Sequence, residues 1–320
     1  MTIEEASKLI KKQALGMGFS ACGIAQASPV DQEAIDEYED WLNQGYAAGM
    51  EYLHKNKHLR YNPAELQPGA KSLICVAMNY YPSQVLDSDV SFAYYSYGKD
   101  YHIVLKSYLS HLFKYIKESI LPELGCEVEL EGRAFTDSAP LLERYWAKKA
   151  GVGFQGRNSL IIVPHVGSFC FLGFLAVNIE LAYDCQRNIS CGNCHKCEDA
   201  CPVHAIHNGE IDANRCISYQ TIENKTDFIP EEVSCKMGKN IYGCDICQKV
   251  CPWNKFSLPT QFREFLPSNT FLNISSSSIL EMDNREFKRM FGESAISRVG
   301  LKGLQRNVSF AKKCKADIAE

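Results

Sequence analysis

The sequence predicts an α+β protein in three parts. Residues 1–180 read as an N-terminal α/β domain with a sheet flanked by helices, 181–257 as a small cysteine-rich module, and 258–320 as a short helical C-terminal segment. Three observations carry this division. Amphipathic helical stretches alternate with short apolar runs through the first part. Ten of the 15 cysteines crowd between Cys185 and Cys251. Beyond Ser257 the pattern is mainly helical, clearest in the basic amphipathic stretch Leu301 to Lys315.

In the first part, Thr2 and Glu5 form a capping box ahead of Ala6, Leu9, Ile10 and Leu15, predicting a helix over 3–18. Ser20 to Ile24 reads as a strand. Val30 to Leu42 and Ala48 to Lys55 read as helices. Ser72 to Met78 is a compact apolar run, expected as a buried strand, and Ser91 to Tyr97 is aromatic-rich and strand-like. Asp100 is placed to cap a long helix whose apolar stripe is Val104, Leu105, Tyr108, Leu109, Leu112, Phe113, Ile116 and Ile120. Cys126 to Leu130 and Ala134 to Thr136 suggest strands. A helix is expected over Pro140 to Lys149, with Pro140 in its first turn. Ser159 to Val163 and Phe169 to Ile179 read as strands that pair as a hairpin around Pro164 to Gly167.

Composition narrows the function classes. A net charge of -4 and a pI of about 6.1 give no global argument for nucleic-acid binding, though a local basic patch can still serve. The sequence opens Met1-Thr2-Ile3-Glu4-Glu5, without a basic or apolar leader, and Phe169 to Ile179 is too short for a membrane span. A soluble cytoplasmic protein is expected, with no membrane partner. G-x-x-x-x-G-K-[ST] does not occur, and Gly151 to Gly156 matches G-x-G-x-x-G in letters only, following an expected helix and preceding an expected strand, the reverse of the dinucleotide-binding context, so nothing suggests ATP or NAD.

The cysteines are patterned. Cys191-x2-Cys194-x2-Cys197-x3-Cys201-Pro202 is the run of bacterial ferredoxins, in which three thiolates wrap one cubane and the fourth reaches the next. A second group follows: Cys216, then Cys244-x2-Cys247-x3-Cys251-Pro252. The crossed order assigns Cys191, Cys194, Cys197 and Cys251 to one [4Fe–4S] cluster and Cys201, Cys216, Cys244 and Cys247 to another. Cys235 competes with Cys216, because spacing alone admits either. Zinc also takes four thiolates at C-x2-C spacing, but two Cys-Pro endings and eight ligands in crossed order favour clusters. Cys22, Cys75, Cys126, Cys170, Cys185 and Cys314 read as ordinary small residues near cores. His195 is expected to tune cluster solvation or face water.

Several segments resemble the epoxyqueuosine reductase family. They include Arg60-Tyr61-Asn62-Pro63, Pro68 to Ser72, Tyr97 to His102, Ala134 to Arg144 with its Asp137-Ser138-Ala139-Pro140 core, Gly153 to Ser159, Gly167-Ser168-Phe169, Cys216 to Tyr219, Tyr242 to Asp245, and Cys251 to Asn254. The resemblance implies an iron–sulfur and cobalamin enzyme that reduces an epoxide on the wobble base of tRNA, and it favours Cys216 as the isolated ligand. It implies electrons passing from a small reduced carrier of flavodoxin or ferredoxin type, through two [4Fe–4S] clusters, to cobalamin. A monomer is expected. The competing functions are a different cobalamin and iron–sulfur reductase, of the reductive dehalogenase kind, and a bare ferredoxin-type electron-transfer protein.

By the same resemblance Asp137 is the proton donor, with a carboxyl pKa raised by an apolar cofactor. Its competing role is a cap for the following helix. Arg60, Asp100, Arg144, Asn158, Ser159 and Ser218 are the candidates for contact with cobalamin, alongside Asp137. Each also has an ordinary role: Asp100 as a cap, Arg144 in a surface ion pair, Asn158 and Ser159 in a turn. His102 is a poor candidate for a cobalt ligand and reads as pocket wall or first-turn residue. Lys55, Lys57 and Arg60, then Lys148 and Lys149, then Lys302, Arg306, Lys312, Lys313 and Lys315 are the basic groups available to phosphates, and Trp253 an aromatic for stacking on a base. Longer family members carry a helical-repeat tail, which Leu304 to Asn307 resembles at its start. A smaller tRNA footprint is therefore expected.

Overall fold

The computed structural model describes residues 1–125 and 128–316. Four strands make the principal sheet: β1 (Ala21–Gln26), β2 (Ser72–Asn79), β3 (Gly132–Phe135) and β4 (Cys170–Val177), in the order β1-β2-β4-β3 and antiparallel throughout. β2 and β4 pair along their whole length, from Ser72 opposite Val177 to Asn79 opposite Cys170. Neither alternates polar and apolar residues, because both faces of the sheet are covered.

One face packs on α1 (Ile3–Gly16) and α3 (Tyr101–Tyr115). Ile74, Val76 and Met78 of β2 meet Ala6, Ile10 and Ala14 of α1 and Leu105, Leu109 and Leu112 of α3 there. The capping box at Thr2 and the Asp100 cap both form as expected; Asp100 accepts the His102 N–H at 3.0 Å. The other face carries Leu73, Cys75 and Ala77 against Trp146 and Ala147 of α4 (Glu143–Lys149). Gly23 in β1 admits the end of that helix: a Cβ there would stand 1.9 Å from the Ala150 carbonyl oxygen. α2 (Gln32–Asn43) lies outside the sheet, and its Trp41 donates to the Ile211 carbonyl of the cysteine module at 2.9 Å.

Several expectations give way to tertiary context. Ala48 to Lys55 is not a helix; Gly45 and Ala48 both take left-handed conformations, and only Glu51–Leu53 forms a 3-10 turn. Of Ser91 to Tyr97 only Ser91–Phe92 is strand, paired in parallel with Asn240–Tyr242 of the cysteine module. Within Cys126 to Leu130 the first two residues lie outside those described, and Val128 to Leu130 is not strand. The helix expected from Pro140 begins at Glu143, leaving Pro140 in the preceding loop. Ser159 to Val163 does not form a hairpin with β4. Both edges of β4 are taken by β2 and β3, so Ile161–Ile162 pairs with Phe154–Gln155 and only Val163 bridges Gly167.

The C-terminal segment is bound tightly to the rest. Thr260 donates its N–H to the Tyr81 carbonyl, Lys99 to Glu264 and Asp100 to Glu293, each at 2.7 Å. The helix α5 (Gly300–Ala316) contains the expected amphipathic stretch. Its buried Asn307 donates to the carbonyls of Thr221 and Ile241 at 2.8 Å. Arg306 donates to the carbonyls of Gln220, Asn224 and Thr226, so it holds the insertion between Cys216 and Cys244 and is not a free phosphate contact. Lys57 and Lys149 are similarly engaged, with Glu39 and Asp31. Among the described residues no helix is long and apolar enough to cross a membrane.

Trp146 is fully buried, and among the described residues its indole N–H has no partner. Trp146→Ala is expected to destabilise the chain by about 3–5 kcal/mol through the cavity it leaves. Trp146→Phe, which also removes the unpaired donor, is expected to cost far less, about 1 kcal/mol. Anaerobic urea unfolding followed by circular dichroism distinguishes the two.

A candidate active-site cavity beside the cysteine module

A cavity of about 1340 Å³ opens between α2, the loop before α4 and the start of the cysteine module; its wall includes Arg60, Asp137, Arg144, Arg157, Ser159 and Cys191. Pockets for small ligands run to roughly 1,000 Å³, so this one suits a large cofactor together with part of a substrate.

Asp137 follows β3 directly, and its side chain is exposed into the cavity. It has φ of 54°, a left-handed conformation unusual for a residue with a Cβ. Its Oδ2 accepts the Tyr101 hydroxyl at 2.5 Å and lies 3.6 Å from His102 Nε2. Behind it, Asp100 Oδ1 meets His102 Nδ1 at 2.8 Å, and Arg298 donates to Asp100 Oδ2 at 3.0 Å. Asp137 does not cap α4: the helix starts six residues later, and its carboxylate points to α3 instead.

The electrostatics reverse one expectation. The enclosing walls disfavour charge on Asp137, but the hydrogen bonds from His102 and Tyr101 and the charges of His102 and Arg298 outweigh them and hold its carboxyl below the usual range. Asp100 is likewise held down to about 2, its burial overcome by His102 and Arg298. Burial works against charge on His102, yet Asp100 and Asp137 on either side raise its pKa. The carboxyl that is pushed up is Glu143, to about 8, by burial and by the charge of Asp137. Its Oε1 accepts the main-chain N–H of Asp137.

The other candidates divide into two groups. Arg60, Arg144 and Ser159 join Asp137 at the cavity, with Arg144 donating to the Ser159 carbonyl at 2.7 Å and to its hydroxyl. Arg60 and Asn158 are buried, Asn158 is not part of the cavity lining, and among the described residues Arg60 Nε, Arg157 Nε and Asn158 Nδ2 have no hydrogen-bond partner. Such orphaned donors are costly unless a ligand takes them, and the peripheral amides of a corrin ring offer acceptors of the right kind. Asp100 stands one step back from the cavity, behind His102. Ser218 is not at the cavity; its main-chain N–H points at the Cys216 sulfur.

Tyr101, Glu143, Arg157 and Arg298 were not singled out by the sequence reading. The first three lie within the quoted segments, one residue from a named candidate. Arg298 carried no signal, being 198 residues from Asp100.

The cysteines fall into neighbourhoods. Cys251 lies within electrostatic reach of Cys191 and Cys194, and Cys197 of Cys191. Cys216 reaches Cys201, and Cys244 reaches both; Cys247 reaches Cys244 and Cys216 and also Cys197. Cys235 is disulfide-bonded and so is not a free thiol in this structure. Four thiolates on one zinc sit about 3.8 Å apart, from a Zn–S distance of about 2.3 Å. Among the described residues no three His, Cys, Asp or Glu side chains gather to hold one metal ion. A cubane spreads its four thiolates over separate irons, a wider arrangement.

Comparison with known proteins gives two family matches. Residues 60–138 match the family described as "Epoxyqueuosine reductase QueG, DUF1730", and residues 190–254 match the "4Fe-4S double cluster binding domain". The chain is 43% identical over 316 residues to an epoxyqueuosine reductase of Cyclobacterium marinum, covering 97% of this chain and 98% of that one. It is 42% identical over 311 residues to that of Leadbetterella byssophila, covering 97% and 99%. A crystal structure of an epoxyqueuosine reductase with an epoxyqueuosine-modified tRNA-Tyr stem loop superposes with a TM-score of 0.88 at 31% identity, covering 99% of this chain and 84% of that one. The Bacillus subtilis enzyme, described with its catalytic aspartate loop swung out of the active site, superposes equally well, with a TM-score of 0.88 at 31% identity and the same coverage. With the cavity, the paired cysteine groups and relatives of this identity along nearly its full length, the chain belongs to the epoxyqueuosine reductase family.

Proposed function

We propose that this chain reduces epoxyqueuosine to queuosine at the wobble position of tRNA, with Asp137 as proton donor. The observation that carries the reading is the cavity itself: Asp137, the orphaned donors of Arg60 and Arg157, and Cys191 all line one wall system. The swung-out aspartate loop of the Bacillus subtilis relative supports placing the chemistry on the loop that bears Asp137.

Removing the epoxide oxygen as water takes two electrons and two protons. Cys191, Cys194, Cys197 and Cys251 would hold one [4Fe–4S] cluster and Cys201, Cys216, Cys244 and Cys247 the other, supplying electrons singly. Cobalamin, when bound, supplies the reducing centre for the epoxide carbon. Arg60 and Arg157 would hold its amides, with Arg144 and Ser159 completing that side of the wall; Asn158 is buried outside the lining, and Ser218 serves the cluster ligand Cys216 instead. Asp137 delivers a proton to the departing oxygen. Because its resting state is the carboxylate, a neighbour must recharge it, and His102 is placed to do so: Nε2 faces Asp137 Oδ2 while Asp100 and Arg298 fix the ring. The electrons would come from a small reduced flavodoxin- or ferredoxin-type carrier.

Anaerobic reconstitution with iron, sulfide and cobalamin, followed by assay on epoxyqueuosine-containing tRNA, is expected to yield queuosine; no product with both cofactors loaded overturns the reading. Asp137→Asn is expected to lower kcat by about 10²–10⁴-fold while both cofactors remain bound, the range for loss of a general acid. Cys216→Ala is expected to lower bound iron from about eight per chain toward about four, the content of one cubane, whereas Cys235→Ala leaves it unchanged. Iron analysis with electron paramagnetic resonance of the reduced protein checks this.

A further inference from the structure

Glu143 occupies the first position of α4, where the loop carrying Asp137 rejoins regular structure. Its carboxyl oxygen accepts the main-chain N–H of Asp137 across six residues, closing the loop onto its own far end. On the other side the loop is tied to α3, by Tyr101 on the Asp137 carboxylate and by Lys106 on the Ser138 hydroxyl at 3.1 Å. These ties hold Asp137 at a positive φ, a conformation sparsely populated by residues with a Cβ, though less so by aspartate than by most. The two ties to α3 run from its side chains to side chains of the loop. The Glu143 tie is the one made to the backbone of the strained residue itself.

We propose that Glu143 is the latch of this loop: a positioning residue whose carboxyl oxygen, by accepting the Asp137 N–H, keeps the proton donor turned into the cavity. The catalytic consequence rests on the reading of Asp137 given above; the latch itself does not.

The latch is sensitive to pH. Glu143 is faced by Asp137 from the loop, Tyr101 and His102 from α3, Arg144 from α4 and Cys75 from β2. With its pKa pushed up to about 8 by burial and by Asp137, Glu143 is mostly neutral at neutral pH and accepts the N–H without setting a second negative charge beside the first. The sign follows from linkage. A carboxyl whose pKa is higher in the latched loop than in a released, solvated one favours the latched loop when protonated. That preference is full below its ordinary value of 4.5, is lost progressively as pH rises, and is gone above about 8.

The test is hydrogen–deuterium exchange of residues 136–142 in the cluster-loaded, cobalamin-free chain, corrected for intrinsic exchange rates. Glu143→Gln keeps the acceptor and removes the titration. Its loop amides are expected to be at least as protected as in the native chain, with protection constant up to about pH 9 while that of the native chain declines. Glu143→Met keeps the side-chain length but removes the acceptor, and protection at Asp137 is expected to fall at least tenfold. Unchanged exchange in β2 and β4 reports an intact fold. Native-like protection in Glu143→Met, or equal loss in both variants, overturns the latch. In turnover, Glu143→Met is expected to lose at least tenfold in kcat with little change in KM for tRNA, and Glu143→Gln to stay within threefold of the native chain and lose its alkaline decline. A loop that is released without loss of kcat leaves the latch standing and overturns Asp137 as the donor.

Discussion

The eight-residue ladder between β2 and β4 leaves neither strand a free edge, since β1 lies along the far side of one and β3 along the far side of the other. This pairing fixes where everything else can go. With both faces of β2 apolar, α1 and α3 must cover one and α4 the other. The loop leaving β3 must then cross the end of the sheet to reach α4, which brings Asp137 beside the first turn of α3. The strain at Asp137 is sustained because both of its flanking elements are anchored in cores of their own.

Electrostatically, the site is a row of groups that alternate in sign from Arg298 through Asp100 and His102 to Asp137, with Glu143 at the end. Packing five ionisable groups together forces them to share charge, and the arrangement settles it by keeping Asp100 and Asp137 ionised and Glu143 protonated. The carboxyl that stores a proton is therefore not the one aimed at the cavity. A neutral Glu143 holds the Asp137 N–H without setting a second negative charge beside the first, and in the proposed mechanism the neighbour placed to pass a proton to Asp137 is His102.

Much of this was legible in the sequence. The Asp100 cap, the buried β2 run and the α3 stripe depend on local chemistry and came through intact, and the cysteine-rich stretch matches a double-cluster domain. What failed did so where two distant segments compete for the same backbone. The Ser159–Val163 strand had a plausible partner next to it in sequence, but β4 was already occupied on both edges. Ser91 to Tyr97 paired only where Asn240–Tyr242 reached it. The motif put Asp137 forward, but its charge state depends on His102 and Tyr101 and then on Arg298, and nothing local announces that Arg298 joins this row.

Arg298 has a consequence for the order in which the protein is made. Its contact with Asp100 and His102 joins the first third of the chain to nearly its end, and the carbonyl of Glu293 takes the Asp100 N–H in the same place. A ribosome releasing the chain from its N-terminus therefore exposes the cavity wall long before the groups that complete its proton-handling row exist. The front sheet can form early, while the polar row behind Asp137 waits until Glu293 and Arg298 have emerged. Completion of that row is thus timed by this distant segment and not by the sheet that carries Asp137.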